Sequence, residues 1–147
     1  MKKQTLLQYV HHVHYVVQNR DAMVDYFEKN FGMKPDHLVE YDNGMKDALY
    51  DVGKTHIQIS EPQDPTHVIA KHLAKHGPGV YHVAWGVDNI EKVAKELAAK
   101  GNKMWGSREV SGKEGINESR RGYLTANIDA ASSHGVWFQL AEGKHAR

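Results

Sequence analysis

The chain has 147 residues, 40% of them hydrophobic, 25% charged and 9% aromatic, with 19 Lys+Arg against 18 Asp+Glu and a formal net charge of +1. That length suits one domain able to bury a core, and the balanced charge argues against nucleic acid or an anionic membrane as the main partner. There is no cysteine, which excludes disulfides and thiol chemistry. No apolar run reaches the length of a membrane span, and "MKKQTLLQYVHHV" lacks the apolar core of a signal peptide, so a cytoplasmic protein is expected.

In chain order, Tyr9–Val17 reads as a strand, with Val10, Val13, Tyr15, Val16 and Val17 supplying β-branched and aromatic bulk. In "NRDAMVDYFEKNFG" a helix follows. Asn19 is placed to cap it, Met23, Val24, Phe27 and Phe31 share a face, and Gly32 is placed to end it. Three short strands are expected at His37–Tyr41, Met45–Val52 and Thr55–Ser60, joined by the turn sequences "DNG" (42–44) and "VGK" (52–54). The next helix is expected over 64–77, with Asp64 as its cap, Pro65 at its first position and Gly77 at its stop.

A strand over Val80–Val87 restarts the pattern. "DNIEKVAKELAAKG" is a helix with a capping box from Asp88 to Glu91 and an apolar stripe at Ile90, Val93, Ala94 and Leu97. The remaining strands are expected at Lys103–Val110, Arg121–Ile128 and Val136–Ala141. "SGKEGINES" (111–119) is the most polar loop and is expected to be mobile.

The restart is a repeat. "HVHYVVQN" (12–19) lies over "HVAWGVDN" (82–89) at an offset of 70, which sets His12 on His82, Val13 on Val83 and Asn19 on Asn89. "IQISE" (57–61) lies over "FQLAE" (138–142) at an offset of 81, which sets Gln58 on Gln139. The chain thus reads as one domain, 1–147, of two strand–helix–three-strand modules. The first covers about 9–61 and the second about 80–142, with the connecting helix at about 64–77. Side chains alternate along a strand, so one position from each of four strands can face a shared interior. A pseudo-twofold pairing of the modules is expected to gather His12, Gln58, His82 and Gln139, two imidazoles and two amides suited to a divalent cation. A lone strand histidine is more often packed or exposed than a ligand, and a buried Gln is usually just hydrogen-bonded. Recurrence of both residue types at equivalent positions is what favours the metal reading.

The run "VIAKHLAKHGPGVYHVAWGVDNIEKVAKELAAKG" (68–101), with "HHVHYVV" and "HIQISEP", resembles the vicinal-oxygen-chelate superfamily of glyoxalases and dioxygenases, most closely its methylmalonyl-CoA epimerase-like proteins. The resemblance spans about residues 9–142 and is loosest over 102–135. It implies an α+β fold of two βαβββ modules forming a cupped eight-stranded mixed sheet. It also implies a bound divalent metal (Co, Zn, Mn, Ni or Fe), a small-molecule substrate such as an acyl-CoA or oxo-acid, and a homodimer.

The likeness assigns His12, Gln58 and His82 as metal ligands, and puts Gln139 where the epimerases carry a ligating glutamate. Asp47 in "NGMKDALYDV" matches the carboxylate that acts as acid or base there, with a shorter side chain. "IDAASSHG" replaces the His-Pro-Lys turn before the last strand.

These residues imply a metal-dependent enzyme, an isomerase, epimerase or lyase, that removes a proton alpha to a carbonyl through a metal-stabilised enolate. With an amide at Gln139 in place of a carboxylate, the chemistry has one clear base, Asp47. His14, on the same face as His12, is a candidate second proton carrier, or a space-filling residue. His56 shares a face with Gln58 near the rim, His11 faces the other way, and His67, His72 and His76 read as solvated or packing residues of a helix. Arg120 and Arg121 are candidates to hold a substrate carboxylate or phosphate, or are plain surface charge. The alternatives are a glyoxalase-type lyase or dioxygenase of the same superfamily, and a metal-free small-molecule binding protein.

Overall fold

The fold is described from a computed structural model, which covers residues 5–105, 115–119 and 121–143. The chain has an α+β architecture of helices and a mixed sheet. It divides into two compact units, one of residues 12–82 and one that joins the residues up to 11 with those from 83 onward.

In the unit of residues 12–82, β1 (Tyr9–Val16) is followed by α1 (Arg20–Phe31), β2 (His37–Glu40), β3 (Lys46–Val52), β4 (Thr55–Glu61) and α2 (Val68–His76). The strands pair in the order β2-β3-β4-β1, antiparallel except for β4 with β1, which is parallel. The β3–β4 hairpin closes over Gly53 and Lys54. A two-residue turn needs positive φ at its first position, and Gly53 supplies it at 62°. Side-chain alternation then sorts the faces. Tyr15, Val17, Ala48, Tyr50, Ile57 and Ile59 pack with Met23, Val24 and Phe27 of α1. His12, His14, Asp47, Gln58 and Ser60 take the opposite face.

In the other unit, β5 (Gly79–Gly86) leads to α3 (Ile90–Ala99), β6 (Met104–Trp105), β7 (Ile116–Glu118), β8 (Leu124–Ile128) and β9 (Phe138–Glu142), with a 3-10 turn at Ala130–Ser133. Here β5 pairs parallel with β9, and β8 lies antiparallel to β9, β6 and β7. α3 buries Ile90, Val93 and Ala94 against Ile116, Ala126 and Leu140. Among the described residues no helix is long and apolar enough to cross a membrane.

Several expectations are corrected. Among the described residues nine strands form instead of eight, because Ile116–Glu118, expected within a mobile loop, pairs with β8 through a turn closed by Ser119 and Gly122. Residues 106–110 of the expected long strand, and 111–114 of the loop, lie outside the described residues. The helix expected from Asp64 starts at Val68. The Asp64 carboxylate instead accepts from the Thr66 N–H and hydroxyl in a local turn, and the His67 Nδ1 caps the helix by accepting from the Ile69 N–H. Asp88 does not cap α3. Asn89 does, accepting from the Lys92 N–H, while the Glu142 carboxylate takes the Asn89 and Ile90 N–H groups. Phe31 does not join the buried face of α1. It is 59% exposed, and its ring meets those of Phe27 and Tyr26 in nearly perpendicular contacts.

Candidate functional site

The polar face of the 12–82 unit is built by alternation on three adjacent strands. Registers set His14 beside Gln58, and Ser60 beside Asp47. His12, His14, Asp47, Ser60 and His82 are all buried, none more than 8% exposed. Buried polar groups need partners, and here the partners are each other.

The His12 and His82 Nε2 atoms stand 3.3 Å apart, with the rings nearly perpendicular and their centroids 5.3 Å apart. Two imidazoles bound to one cation at about 2.1 Å would hold their nitrogens about 3.0–3.4 Å apart for ligand angles of about 90–109°. The observed spacing falls in that interval. Without a cation, one Nε2 donates its proton to the other.

Beside them runs a continuous hydrogen-bond chain. The Ser60 hydroxyl donates to Asp47 Oδ1 at 2.6 Å, and the Gln58 Nε2 amide donates to Asp47 Oδ2 at 2.9 Å. The His14 Nε2 lies 2.7 Å from the Ser60 hydroxyl. An ionised carboxylate only accepts, so the polarity of the chain follows. Ser60 must give its one proton to Asp47, and His14 must then donate an Nε2–H to Ser60. The Gln58 NH2 is turned to Asp47, which leaves its carbonyl oxygen as the end able to ligate. The His14 ring also meets His82 and Tyr81 edge-on, at 5.1 and 5.5 Å between centroids. Burial pushes the Tyr81 phenol above its ordinary value.

Among the described residues no group of three or more His, Cys, Asp and Glu is assembled as a metal ion would need. The expected donors are of a different kind, two imidazoles with amide oxygens, and His12, His82 and Gln58 suit a cation by donor type.

The remaining candidates are placed as follows. Gln139 lies in the other unit, where its amide N–H donates to the Asn127 Oδ1 at 3.3 Å. The Trp137 indole donates to the same oxygen at 2.8 Å. The His56 Nδ1 pairs with Asp51 at 2.6 Å. His11 is buried with its Nε2 2.6 Å from the Gly143 carbonyl oxygen and its ring against Tyr123. Arg121 is also buried, and Arg120 lies outside the described residues. Two residues escaped the sequence reading. Ser60 was legible as the next same-face position after His56 and Gln58. Asn127 had no signal beyond its place in a strand.

The sequence profile of the Glyoxalase/Bleomycin resistance protein/Dioxygenase superfamily matches residues 11–118. The chain belongs to this superfamily. A glyoxalase/bleomycin resistance/dioxygenase protein of this build has relatives among solved structures. Methylmalonyl-CoA epimerase from Mycobacterium tuberculosis is 26% identical, with a TM-score of 0.78 over 97% of this chain and 92% of that one. A hypothetical protein from Bacillus halodurans C-125 is 24% identical, with a TM-score of 0.77 over 94% and 96%. A Streptomyces coelicolor methylmalonyl-CoA epimerase variant in complex with 2-nitronate-propionyl-CoA is 22% identical, with a TM-score of 0.76 over 93% and 95%. A search among curated proteins returns no match.

Proposed function

We propose that this superfamily member is an isomerase of the epimerase kind, which removes and returns a proton alpha to the carbonyl of a small substrate, an acyl-CoA thioester or an oxo-acid. The observation that carries the reading is a contrast between the two halves of the repeat. His12 and Gln58 recur as His82 and Gln139. His14, Asp47 and Ser60 do not recur. Their equivalents are Ala84 by the first offset, Ala141 by the second, and Thr125, which pairs with Ala141 as Asp47 pairs with Ser60. Duplicated donors suit a cation approached from both halves of a repeat, and a hydrogen-bond chain present once suits a single base.

In this reading His12, His82 and the Gln58 carbonyl oxygen hold a divalent metal. Gln139 enters as a fourth donor on the repeat alone. Such a cation supplies positive charge that stabilises the negative charge developing on the substrate oxygen. Asp47 takes the alpha proton onto its carboxylate. Ser60 and Gln58, bonded to different oxygens, hold that carboxylate in one orientation. The Ser60 hydroxyl also connects Asp47 to His14, so a His14 ring protonated at both nitrogens can pass its Nε2 proton to Ser60 as Ser60 passes its own to the Asp47 carboxylate, which leaves a neutral imidazole. His14 is therefore the second carrier. Arg120 and Arg121 remain candidates for an anionic substrate group, and a homodimer is the proposed assembly.

The deciding experiment is solvent deuterium exchange into acyl-CoA thioesters and oxo-acids with added Co, Zn, Mn, Ni or Fe. Asp47→Asn should lower exchange by about 10²-fold or more, with metal uptake kept at saturating cation. Unchanged exchange would remove Asp47 as the base. His82→Ala should lose the metal held by the His12–His82 pair, and equal metal content in both proteins would remove the cation from the scheme.

A further inference from the structure

A second pair of imidazoles stands outside the site just described. α2 carries His72 and His76 four residues apart, so both project from one side of the helix. They flank the stripe of Ile69 and Leu73 that packs against Val16, Met45 and Tyr81. His72 is half-buried, with its ring edge-on to Tyr81 at 4.8 Å between centroids. His76 is exposed in the last turn. The two rings approach to 4.6 Å between centroids at an interplanar angle of 40°.

We propose that His72 and His76 form a surface site for one borderline divalent transition-metal ion, Cu2+, Ni2+ or Zn2+, separate from the His12–His82 pair. Helical histidines four apart are a known chelating arrangement, because one helix turn sets both rings on the same side of the helix. Imidazoles sharing a cation at about 2.1 Å bring their ring centroids to about 4.6–5.3 Å apart for ligand angles of about 90–109°. The pair already holds that separation, and Tyr81 fixes the inner ring. The helix C-terminus adds its negative pole at His76. Burial, and then the charge on His76, lower the pKa of His72, which favours the neutral form that binds metal.

Lys71 and Lys75 on the same helix oppose the cation, but both are exposed and extend into water. His67 is not a third ligand, since its Nδ1 caps the helix. Among the described residues no other His, Cys, Asp or Glu completes a group of three, so water fills the remaining positions.

The test titrates the full-length protein with Cu2+, Ni2+ and Zn2+ chlorides. It compares wild type with His76→Ala, which changes an exposed side chain, and follows the histidine ring resonances by NMR. The expected result is a binding event, separate from that of the His12–His82 pair, that weakens at least about tenfold in His76→Ala and is tightest for Cu2+. Substoichiometric Cu2+ should broaden the His72 and His76 signals together. His82→Ala should retain this event. Where that buried change unfolds the chain, the wild-type broadening pattern decides. An isotherm unaltered by His76→Ala, or broadening confined to His12 and His82, would overturn the proposal.

Discussion

Gly86 shows how a single atom sets a position. The repeat places it opposite Val16, yet a valine cannot stand there. A Cβ added to Gly86 would fall on the Tyr9 ring, 2.7 Å from Cδ1 and closer still to Cε1 and Cζ. The repeat is broken here by an aromatic ring that has no counterpart in the first half. Gly86→Ala should destabilise the protein by about 1–3 kcal/mol through overpacking, read by denaturant unfolding. Combining it with Tyr9→Ala should recover part of that loss, because the ring that clashes is gone; strictly additive losses would place the cause elsewhere. Ser60 makes the complementary point. Its hydroxyl is one of the smallest polar groups in the chain, and it joins Asp47 to His14 because alternation aims all three at the same face.

At the scale of elements, the helices are set by groups distant in sequence as well as by their own caps. α1 receives the Glu61 carboxylate on the Arg20 N–H, and α3 receives Glu142 on Asn89 and Ile90. These two glutamates are equivalent in the repeat, each ending the strand that also carries Gln58 or Gln139. They use the exposed N–H groups and positive pole of a helix start.

α2 makes the pH-dependent contribution. Burial first, and then His76, hold His72 below its ordinary value of 6.5. The unfolded chain therefore takes up this proton at a higher pH than the folded one. The stability in question is complete above that unfolded value and is lost as the pH falls from there through the folded value. Melting temperatures measured from about pH 7.5 down to about pH 5 should fall less steeply in His72→Phe than in wild type. Parallel profiles would show that His72 does not carry the effect.

At the scale of the whole molecule, a duplicated plan carries two kinds of residue. His12 with His82, and Gln58 with Gln139, keep the plan. Asp47 against Thr125, Ser60 against Ala141 and His14 against Ala84 depart from it. A division into paired metal donors and an unpaired base predicts unequal consequences for equivalent substitutions. Thr125→Ala should leave deuterium exchange within about threefold of wild type, while Asp47→Asn removes it. Equal losses in the two variants would mean that both halves share the proton chemistry.

Much of this was legible in the residues. Hydrophobic periodicity and capping chemistry are local properties, so the strand–helix order, the Asn19 cap and the face shared by His12 and His14 could be read directly. The repeat added the pairing of His12 with His82, which stand in contact. Three features were decided only by folding. Ile116–Glu118 became a strand because β8 offered an edge to pair with, although its own sequence reads as a polar loop. Glu142 took over the start of α3 from a position 52 residues away in sequence. Ser60 entered the candidate site because the β3–β4 register set it beside Asp47. A local pattern states which face a residue takes, but not which distant partner waits on that face, and hydrogen bonds between strands are made only when the register is chosen.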